Sequence, residues 1–195
     1  MKIYIFTILI VFSIFRLAGQ DKILISENES LKIFETNLSL KSDGNVCPSI
    51  YGEGLIYASN QKSNNYYFSN LRSKSIRFKT GSKNTSGPVA IFNDEIYFTG
   101  LSKSKNSIGN HNFVIYKGII KGYKVVDIEL LPIFKLDFSY TDPSISKDGK
   151  RMIVVSNEKG YPHLLELNRN SRNQWVKGSI IYIGNPNFEI LNPTI

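Results

Sequence analysis

Beyond residue 20, the apolar positions of this chain fall in short runs separated by polar turns rather than in a helical stripe. Alternating or continuous apolar runs bounded by Gly, Pro, Asn or Asp are typical of β-strands. Two such runs, at 23–25 and 31–34, flank the polar stretch 26–30 and predict one or two leading strands. No later segment combines a sustained helical period with caps at both ends. The pattern predicts an all-β protein.

One phrase recurs along the chain. A small or polar residue precedes a proline, a short strand, a turn, and an apolar strand that ends in Ser or Thr. Self-similarity at a period of tens of residues is typical of a modular array. The prolines are Pro48, Pro88, Pro143 and Pro193, so subtraction gives spacings of 40, 55 and 50 residues. The copies occupy 47–60, 87–100 and 142–157, with the start of a fourth at 192–195.

Each copy is followed by two further strand-like runs, so that a unit contains four strands. The turn residues at 52–54, 93–94 and 147–150 tolerate positive φ, which tight hairpins require. The apolar run after each turn, such as 95–99, predicts a strand covered on both faces. Four antiparallel strands per unit are typical of a propeller blade. The third and fourth strands are expected at 65–69 and 75–79, at 112–117 and 123–128, and at 163–167 and 179–183.

The third copy resembles the TolB-type, WD40-like propeller repeat. The shared phrase is Pro143, Ser146, Asp148-Gly149-Lys150 and a following apolar strand that ends in Ser156, and Lys147 departs from it where the family usually has Pro. The first copy is similar to the variant in exported bacterial proteins that carry an OmpA-type domain. The resemblance covers about 40–195. It implies a β-propeller of antiparallel four-stranded blades, with about three and a half blades present as a partial or truncated array.

The N-terminus has the order of charge, apolar run and small residues that is typical of a secretory signal peptide. Lys2 precedes the apolar run 3–15, which is shorter than the ~20 residues of a membrane-spanning helix. Cleavage is expected after Gly19 or Gln20, with an uncleaved anchor as the alternative. We therefore expect an exported protein that is periplasmic, outer-membrane-associated or extracellular, without a transmembrane span. The predicted organisation is a signal peptide at 1–20, leading strands at 21–40 and repeats at 41–195, with blades near 47–80, 87–130 and 142–184 and another that starts at 192.

The formal net charge is +8, which becomes +6 when Lys2 and Arg16 leave with the signal. The basic residues are scattered, without the run of five or more that is typical of a nucleic-acid patch, so no nucleic-acid partner is predicted. Cys47 is the single cysteine, which excludes an internal disulfide. A lone cysteine before a repeat proline is expected to be a small buried apolar residue.

The sequence predicts no catalytic, cofactor-binding or metal site. Asp137, Asp142 and Asp148 lack the alternating oxygen ligands of a calcium loop, and Asp148 is expected in a hairpin turn. His111 and His163 do not form a zinc-binding set with Cys47, and His163 is expected to be packed in a strand or at its edge. The chain has no Gly-x-Ser-x-Gly elbow, phosphate-binding Gly-rich loop or HExxH motif. This pattern indicates a non-enzymatic chain.

Three hypotheses on function follow from these observations. The first is an exported, non-catalytic propeller scaffold whose loops bind a protein or a cell-envelope component. The second is the regulatory propeller of an exported serine peptidase or hydrolase, with the catalytic domain beyond residue 195. The third is a glycan-binding propeller that uses exposed tyrosines. The polar segment 101–110 is expected to be an exposed, disordered insertion. The candidate tyrosines are Tyr66, Tyr67, Tyr116, Tyr123, Tyr140 and Tyr161, most of which are expected to pack within the blades.

Overall fold

The structure is a computed structural model that describes residues 24–27, 32–34, 47–59, 65–70, 75–81, 84–185, 190 and 193–195. The predicted signal peptide at 1–20 lies outside these residues. The chain divides into two compact units, Met1–Asn37 and Leu38–Ile195. In the first unit, β1 (Leu24–Glu27) and β2 (Lys32–Phe34) pair antiparallel, as the two leading apolar runs predict.

The second unit is built from three antiparallel sheets, each with four strands in chain order. No helix occurs in the described part of the chain. The sequence-based prediction of an all-β protein with four-strand units is therefore confirmed at this level. Sheet 1 contains β3 (Ser49–Tyr51), β4 (Gly54–Ser59), β5 (Asn65–Ser69) and β6 (Ile76–Phe78). Sheet 2 contains β7 (Ser86–Phe92), β8 (Glu95–Leu101), β9 (Phe113–Lys121) and β10 (Lys124–Leu130). Sheet 3 contains β11 (Tyr140–Ile145), β12 (Arg151–Ser156), β13 (His163–Arg169) and β14 (Trp175–Ile183).

The first two strands of every sheet are joined by a tight hairpin. Asn93 has φ 55° and Gly149 has φ 69°, as the turn residues predict. Gly52 has φ 56°, whereas Gly54 is needed for space, because a Cβ there would lie 2.5 Å from the Ser69 carbonyl oxygen. The explanation of both glycines as turn residues is therefore correct for Gly52 and wrong for Gly54.

Consecutive sheets pack face to face, and each sheet presents the equivalent face to the next sheet in the chain. Ile56 of β4 and Phe98 of β8 belong to the core between sheets 1 and 2. Tyr97 of β8 and Val154 of β12 belong to the core between sheets 2 and 3. The residue pairs next to the two hairpin turns are Tyr51↔Gly54 in sheet 1 and Phe92↔Glu95 in sheet 2. Ile56 and Tyr97 each lie two residues after the second member of its pair, so they stand on equivalent faces of their sheets. The equivalent face of each sheet therefore packs on the next sheet in the chain. Strand β8 is consequently covered on both faces, as its apolar run predicts.

The repeated proline marks a bulge in the first strand of sheets 2 and 3. Gly87 and Asp142 precede Pro88 and Pro143 and have φ of 70° and 51°. The strand register shifts between Ser86 and Val89 and between Thr141 and Ser144. Each bulge bends the first strand where it approaches the neighbouring sheet. The Asp142 amide donates a hydrogen bond to the Thr99 hydroxyl of sheet 2 at 3.1 Å.

Two details of the repeat differ from the sequence-based expectation. Ser59 and Ser156 end their strands, but β8 continues past Thr99 to Leu101. The expected start of a fourth blade at 192 falls at the limit of the described chain, where 193–195 form no strand. The described part of the second unit contains three four-stranded sheets, and residue 192 of the expected fourth copy lies outside the described residues.

Candidate functional site at one end of the sheets

The strand directions bring three long connections to one end of sheets 2 and 3. The Ser107 amide donates to the Asp137 carboxylate at 2.9 Å, which joins the connection 102–112 to 131–139. The Ser139 amide donates to the Asn157 side-chain oxygen at 2.8 Å, which joins 131–139 to 157–162. We call these three connections the loop end. The opposite end, which we call the hairpin end, carries the turns at 52–53, 93–94 and 146–150.

The connection 102–112 is ordered by its own side chains. The Asn106 side-chain oxygen accepts hydrogen bonds from the amides of Ile108, at 3.2 Å, and Asn110, at 2.7 Å. The Asn112 side chain donates to the Leu136 carbonyl at 2.9 Å. The expectation that 101–110 is disordered is therefore wrong, because an asparagine turn supplies the order that an apolar pattern does not. Ile108 stands at the tip of this loop and is 78% exposed.

A cavity of about 220 Å³ opens at the loop end of sheet 3. Its wall is largely apolar, with hydroxyl and amide groups from the connections at its edge. Thr141 and Val155 face each other across β11 and β12 in this wall. Such a cavity has the volume and polarity for a small neutral group, such as one apolar side chain. The lining residues are Ser139, Thr141, Val155, Ser156, Asn157, Pro162 and Ile190.

Glu158 is the centre of a polar cluster beside this cavity. Its carboxylate accepts hydrogen bonds from the Tyr140 hydroxyl and the Lys177 ammonium, both at 2.6 Å. The Lys177 ammonium also lies 5.4 Å from the centre of the Tyr140 ring. Burial alone raises the pKa of Glu158, but the hydrogen bonds from Lys177 and Tyr140 outweigh it and lower the pKa below its ordinary value. The cluster joins β11, the turn after β12, and β14.

His163 is fully buried at the start of β13, which confirms the expectation of a packed histidine. Its Nδ1 lies 3.1 Å from the Tyr161 carbonyl oxygen. Because a carbonyl only accepts, Nδ1 carries the proton in this contact. Nε2 has no hydrogen-bond partner among the described residues. The ring therefore contributes mainly packing, with Tyr161 edge-on at 6.4 Å between ring centres.

A second polar cluster lies at the hairpin end, between sheets 2 and 3. The Glu95 carboxylate is bound by Lys117 at 2.7 Å and by Arg169 at 2.5 Å. The Tyr97 hydroxyl donates to Glu95 at 2.9 Å and accepts from the Trp175 indole at 3.1 Å and from the Arg169 guanidinium. Burial is the main cause that raises the pKa of Tyr97; the Trp175 hydrogen bond opposes it and the Glu95 hydrogen bond adds to it, so the hydroxyl remains a donor.

Aromatic rings enclose the guanidinium of this cluster. The Arg169 guanidinium carbon lies 4.6 Å from the centre of the Trp175 ring and 5.7 Å from that of Phe92. Trp175 also meets Tyr97 edge-on at 5.8 Å. A guanidinium in such a stack is held in place by cation–π attraction as well as by its ion pair. The arrangement ties β13 and β14 of sheet 3 to β8 of sheet 2.

The two carboxylates make the stability sensitive to acid. For Glu95, burial acts to raise the pKa, but hydrogen bonds from Lys117, Arg169 and Tyr97 lower it overall, as happens for Glu158. A lowered folded-state pKa contributes stability that is complete above the unfolded pKa, about 4.3, and is lost as the pH falls through the folded value. We expect the Tm to fall from about pH 5 downward, and Glu95→Gln/Glu158→Gln to flatten that fall.

The check is a Tm profile from pH 7 to pH 3 for both proteins. Glu53→Gln is the matched control, because Glu53 is exposed at a hairpin tip and removes a carboxyl without touching either cluster. The Tm of Glu53→Gln is expected to fall with pH in the same way as the Tm of the unmodified protein. An identical acid profile for the double variant and the unmodified protein would contradict the role of the clusters.

The residues singled out in the sequence do not converge on one site. Asp148 sits in its hairpin and accepts hydrogen bonds from the Ser146 hydroxyl and the Lys150 amide at 2.6 and 3.0 Å, as expected of a turn residue. Asp137 binds the connection 102–112, and Asp142 is buried at the bulge of β11. No group of three potential metal ligands occurs among the described residues. The Cys47 side chain is partly exposed, so the expectation of a buried position is wrong.

The tyrosines proposed as an exposed set are divided by the fold. Tyr66, Tyr116 and Tyr140 are at most 5% exposed and belong to the cores. Tyr123 is 50% exposed and contacts Phe68. The remaining two, Tyr67 and Tyr161, are partly buried. Three of the six candidate tyrosines are therefore core residues rather than exposed binding residues.

Sequence inspection missed the groups that make the most specific contacts. Glu95 is a charged residue at the start of the apolar strand β8, and Trp175 is the single tryptophan. A charged residue beside an apolar run and a single tryptophan both indicate a buried polar contact. Only the packing of sheet 3 against sheet 2 shows that Arg169 is the partner of Glu95. Ile108 gives no recognisable sequence signal, because it is an isolated apolar residue in a polar segment.

Neither protein-family models nor curated proteins match this sequence. Within the residues that the structure describes, no helix has the length and apolar character to cross a bilayer.

Proposed function

We propose that this chain is a non-catalytic, exported β-propeller scaffold of the TolB-like, WD40-like type that presents its loop end to a partner. The observation that carries the proposal is the packing of three four-stranded meanders in the same sense, Ile56 toward sheet 2 and Tyr97 toward sheet 3. Propeller blades pack in this manner around an axis. The three sheets form an open array in the described chain, so ring closure is part of the proposal.

The distribution of polar groups supports a scaffold. Glu95 and Glu158 are each bound by a cation and a tyrosine, and they connect strands rather than face a cleft. Binding residues in such folds lie on loops that a rigid framework positions. The loop end offers ordered connections, a cavity and an exposed apolar tip. The signal-like N-terminus supports a site of action in the periplasm, at the outer membrane or outside the cell.

Among the alternatives, the glycan-binding propeller has less support, because three of its six candidate tyrosines, Tyr66, Tyr116 and Tyr140, are buried. The regulatory propeller of a hydrolase depends on sequence beyond residue 195, and the geometry described above adds nothing to it. We therefore retain the scaffold as the single proposal.

Site-specific photo-crosslinking in cells that export the protein tests the proposal. A photoreactive amino acid replaces Ser107 or Asn157 at the loop end, and Glu53 or Asp94 at the hairpin end serves as the matched control. All four residues are exposed. We expect discrete adducts, with protein or lipid, from the loop-end positions only. Adducts confined to the hairpin end, or none from any position, would refute a loop-end scaffold.

A further inference from the structure

The loop end carries an exposed apolar tip, and exposed lysines lie in the same connection and in the two neighbouring ones. Ile108 is 78% exposed, and the asparagine turn beneath it fixes its position. Lys103 and Lys105 are exposed in the same connection. Hydrogen bonds between the connections bring exposed Lys135 and Lys159 to this end as well, through Asp137, Tyr140 and Glu158. The turn holds the tip in position before any partner arrives.

The negative groups at this end offset the lysines only in part. The Glu158 carboxylate is paired with Lys177 at 2.6 Å and therefore adds little net charge. Asp137 is exposed, and its carboxylate accepts a hydrogen bond from the Ser107 amide at 2.9 Å. The four lysines at the loop end consequently exceed the one uncompensated carboxylate described there.

The composition of this surface fits lipid better than protein. Protein interfaces are enriched in aromatic residues and Arg and depleted in Lys and Ser, whereas the 102–112 loop has lysines, serines and one isoleucine. Lysines near an anionic leaflet are attracted to it, and an apolar side chain among them enters the boundary between headgroups and acyl chains.

We propose that the loop end docks on an anionic lipid surface, with Ile108 inserted among the headgroups and Lys103 and Lys105 against the phosphates. The proposal rests on the scaffold function above and names its partner as lipid. The hairpin end lies at the other ends of the strands and faces away from the membrane in this orientation.

Vesicle sedimentation of the full chain tests this proposal. The probes are vesicles of phosphatidylcholine with about 30% phosphatidylglycerol, compared with pure phosphatidylcholine, at 0.1 M and 0.5 M NaCl. We expect binding to the anionic vesicles that weakens severalfold at the higher salt. Lys103→Glu/Lys105→Glu is expected to weaken binding about tenfold or more, because each lysine contributes attraction near the surface. Ile108→Ser is expected to weaken it about fivefold through loss of apolar insertion.

The controls are matched in exposure and charge. Ile50 is also 78% exposed but lies in sheet 1, and Lys147 and Lys150 are exposed at the hairpin end. Ile50→Ser and Lys147→Glu/Lys150→Glu are expected to bind within about twofold of the unmodified protein. The apolar N-terminal segment is the same in every variant, so the differences between variants report on the loop. Equal losses for the two isoleucines or the two lysine pairs would overturn the proposal.

A dye placed at the tip gives a second readout that is independent of total binding. Cys47→Ser/Ile108→Cys carries an environment-sensitive fluorophore, with Cys47→Ser/Ile50→Cys as the control. A blue shift on anionic vesicles at position 108 alone supports insertion, and no shift there overturns it. Protein adducts from the loop end together with negative vesicle results would retain the scaffold and reject the lipid partner. The two proposals therefore fail separately.

Discussion

Replacing Arg169 with alanine is expected to destabilise the protein by about 3 kcal/mol, because it removes the more buried of the two cations that bind Glu95 together with its stacking on Trp175. The Arg169 side chain is 9% exposed and binds Glu95 at 2.5 Å, and its guanidinium stacks on Trp175. The variant leaves Glu95 with Lys117 and Tyr97 only. The Trp175 ring also loses the cation packed on its face. The measurement is the free energy of unfolding from denaturant titration at pH 7.

The chain contains a matched control for this prediction. Arg151 forms the same type of pair with Glu166, at 2.7 Å, but its side chain is 53% exposed. Arg151→Ala is expected to cost less than about 1 kcal/mol, as exposed pairs do. A double-mutant cycle with Glu95→Gln isolates the coupling between Arg169 and Glu95. Equal losses for the two arginine variants would show that the Arg169 cluster does not join the sheets more strongly than a surface pair.

The strand plan of the second unit was predictable because it depends on local signals. Alternation and turn residues act within a few positions, so the run at 65–69 matches β5 residue for residue. Lengths were less predictable. β9 runs to Lys121 and β14 begins at Trp175, beyond the expected 112–117 and 179–183. Those extensions are set by pairing with neighbouring strands, which the local sequence does not contain.

The candidate site was harder to predict for a physical reason. Its order comes from side-chain hydrogen bonds between connections that are distant in sequence, such as Ser107 with Asp137 and Ser139 with Asn157. Polar residues that satisfy one another in a loop have the same composition as residues that remain solvated. The sequence therefore indicated an exposed insertion at 101–110 but not its ordered conformation.

The two polar clusters occupy opposite ends of the same pair of sheets. Glu95 joins sheet 2 to sheet 3 at the hairpin end, whereas Glu158 joins strands of sheet 3 at the loop end. Between them, the packing is apolar, with Met152, Val154 and Leu165 against Tyr97 and Ile115. Apolar packing supplies most of the stability but is not directional. The Glu95 cluster adds direction, which favours one register between sheets 2 and 3, whereas the Glu158 cluster fixes strands within sheet 3.

The bulges before the repeated prolines also bring sheets 2 and 3 into close contact, and Gly87→Ala tests this contact. Gly87 has φ 70°, and a Cβ there would overlap the buried Asp142 carboxylate. The alanine combines a left-handed backbone with overpacking between β7 and β11. We expect a loss of about 2–4 kcal/mol, the sum of conformational strain and overpacking. Thermal and denaturant unfolding at pH 7 measure it.

Gly122→Ala separates the two contributions. Gly122 has φ 61° in the turn between β9 and β10, and an added Cβ there meets nothing within 4 Å. Its substitution carries the backbone strain without the overlap, so a loss of about 1 kcal/mol is expected. Asp142→Gly removes the carboxylate and accepts the positive φ, so Gly87→Ala in that background is expected to cost no more than Gly122→Ala. If Gly87→Ala costs the same with and without the Asp142 carboxylate, the close approach of β7 and β11 is not what requires glycine before Pro88.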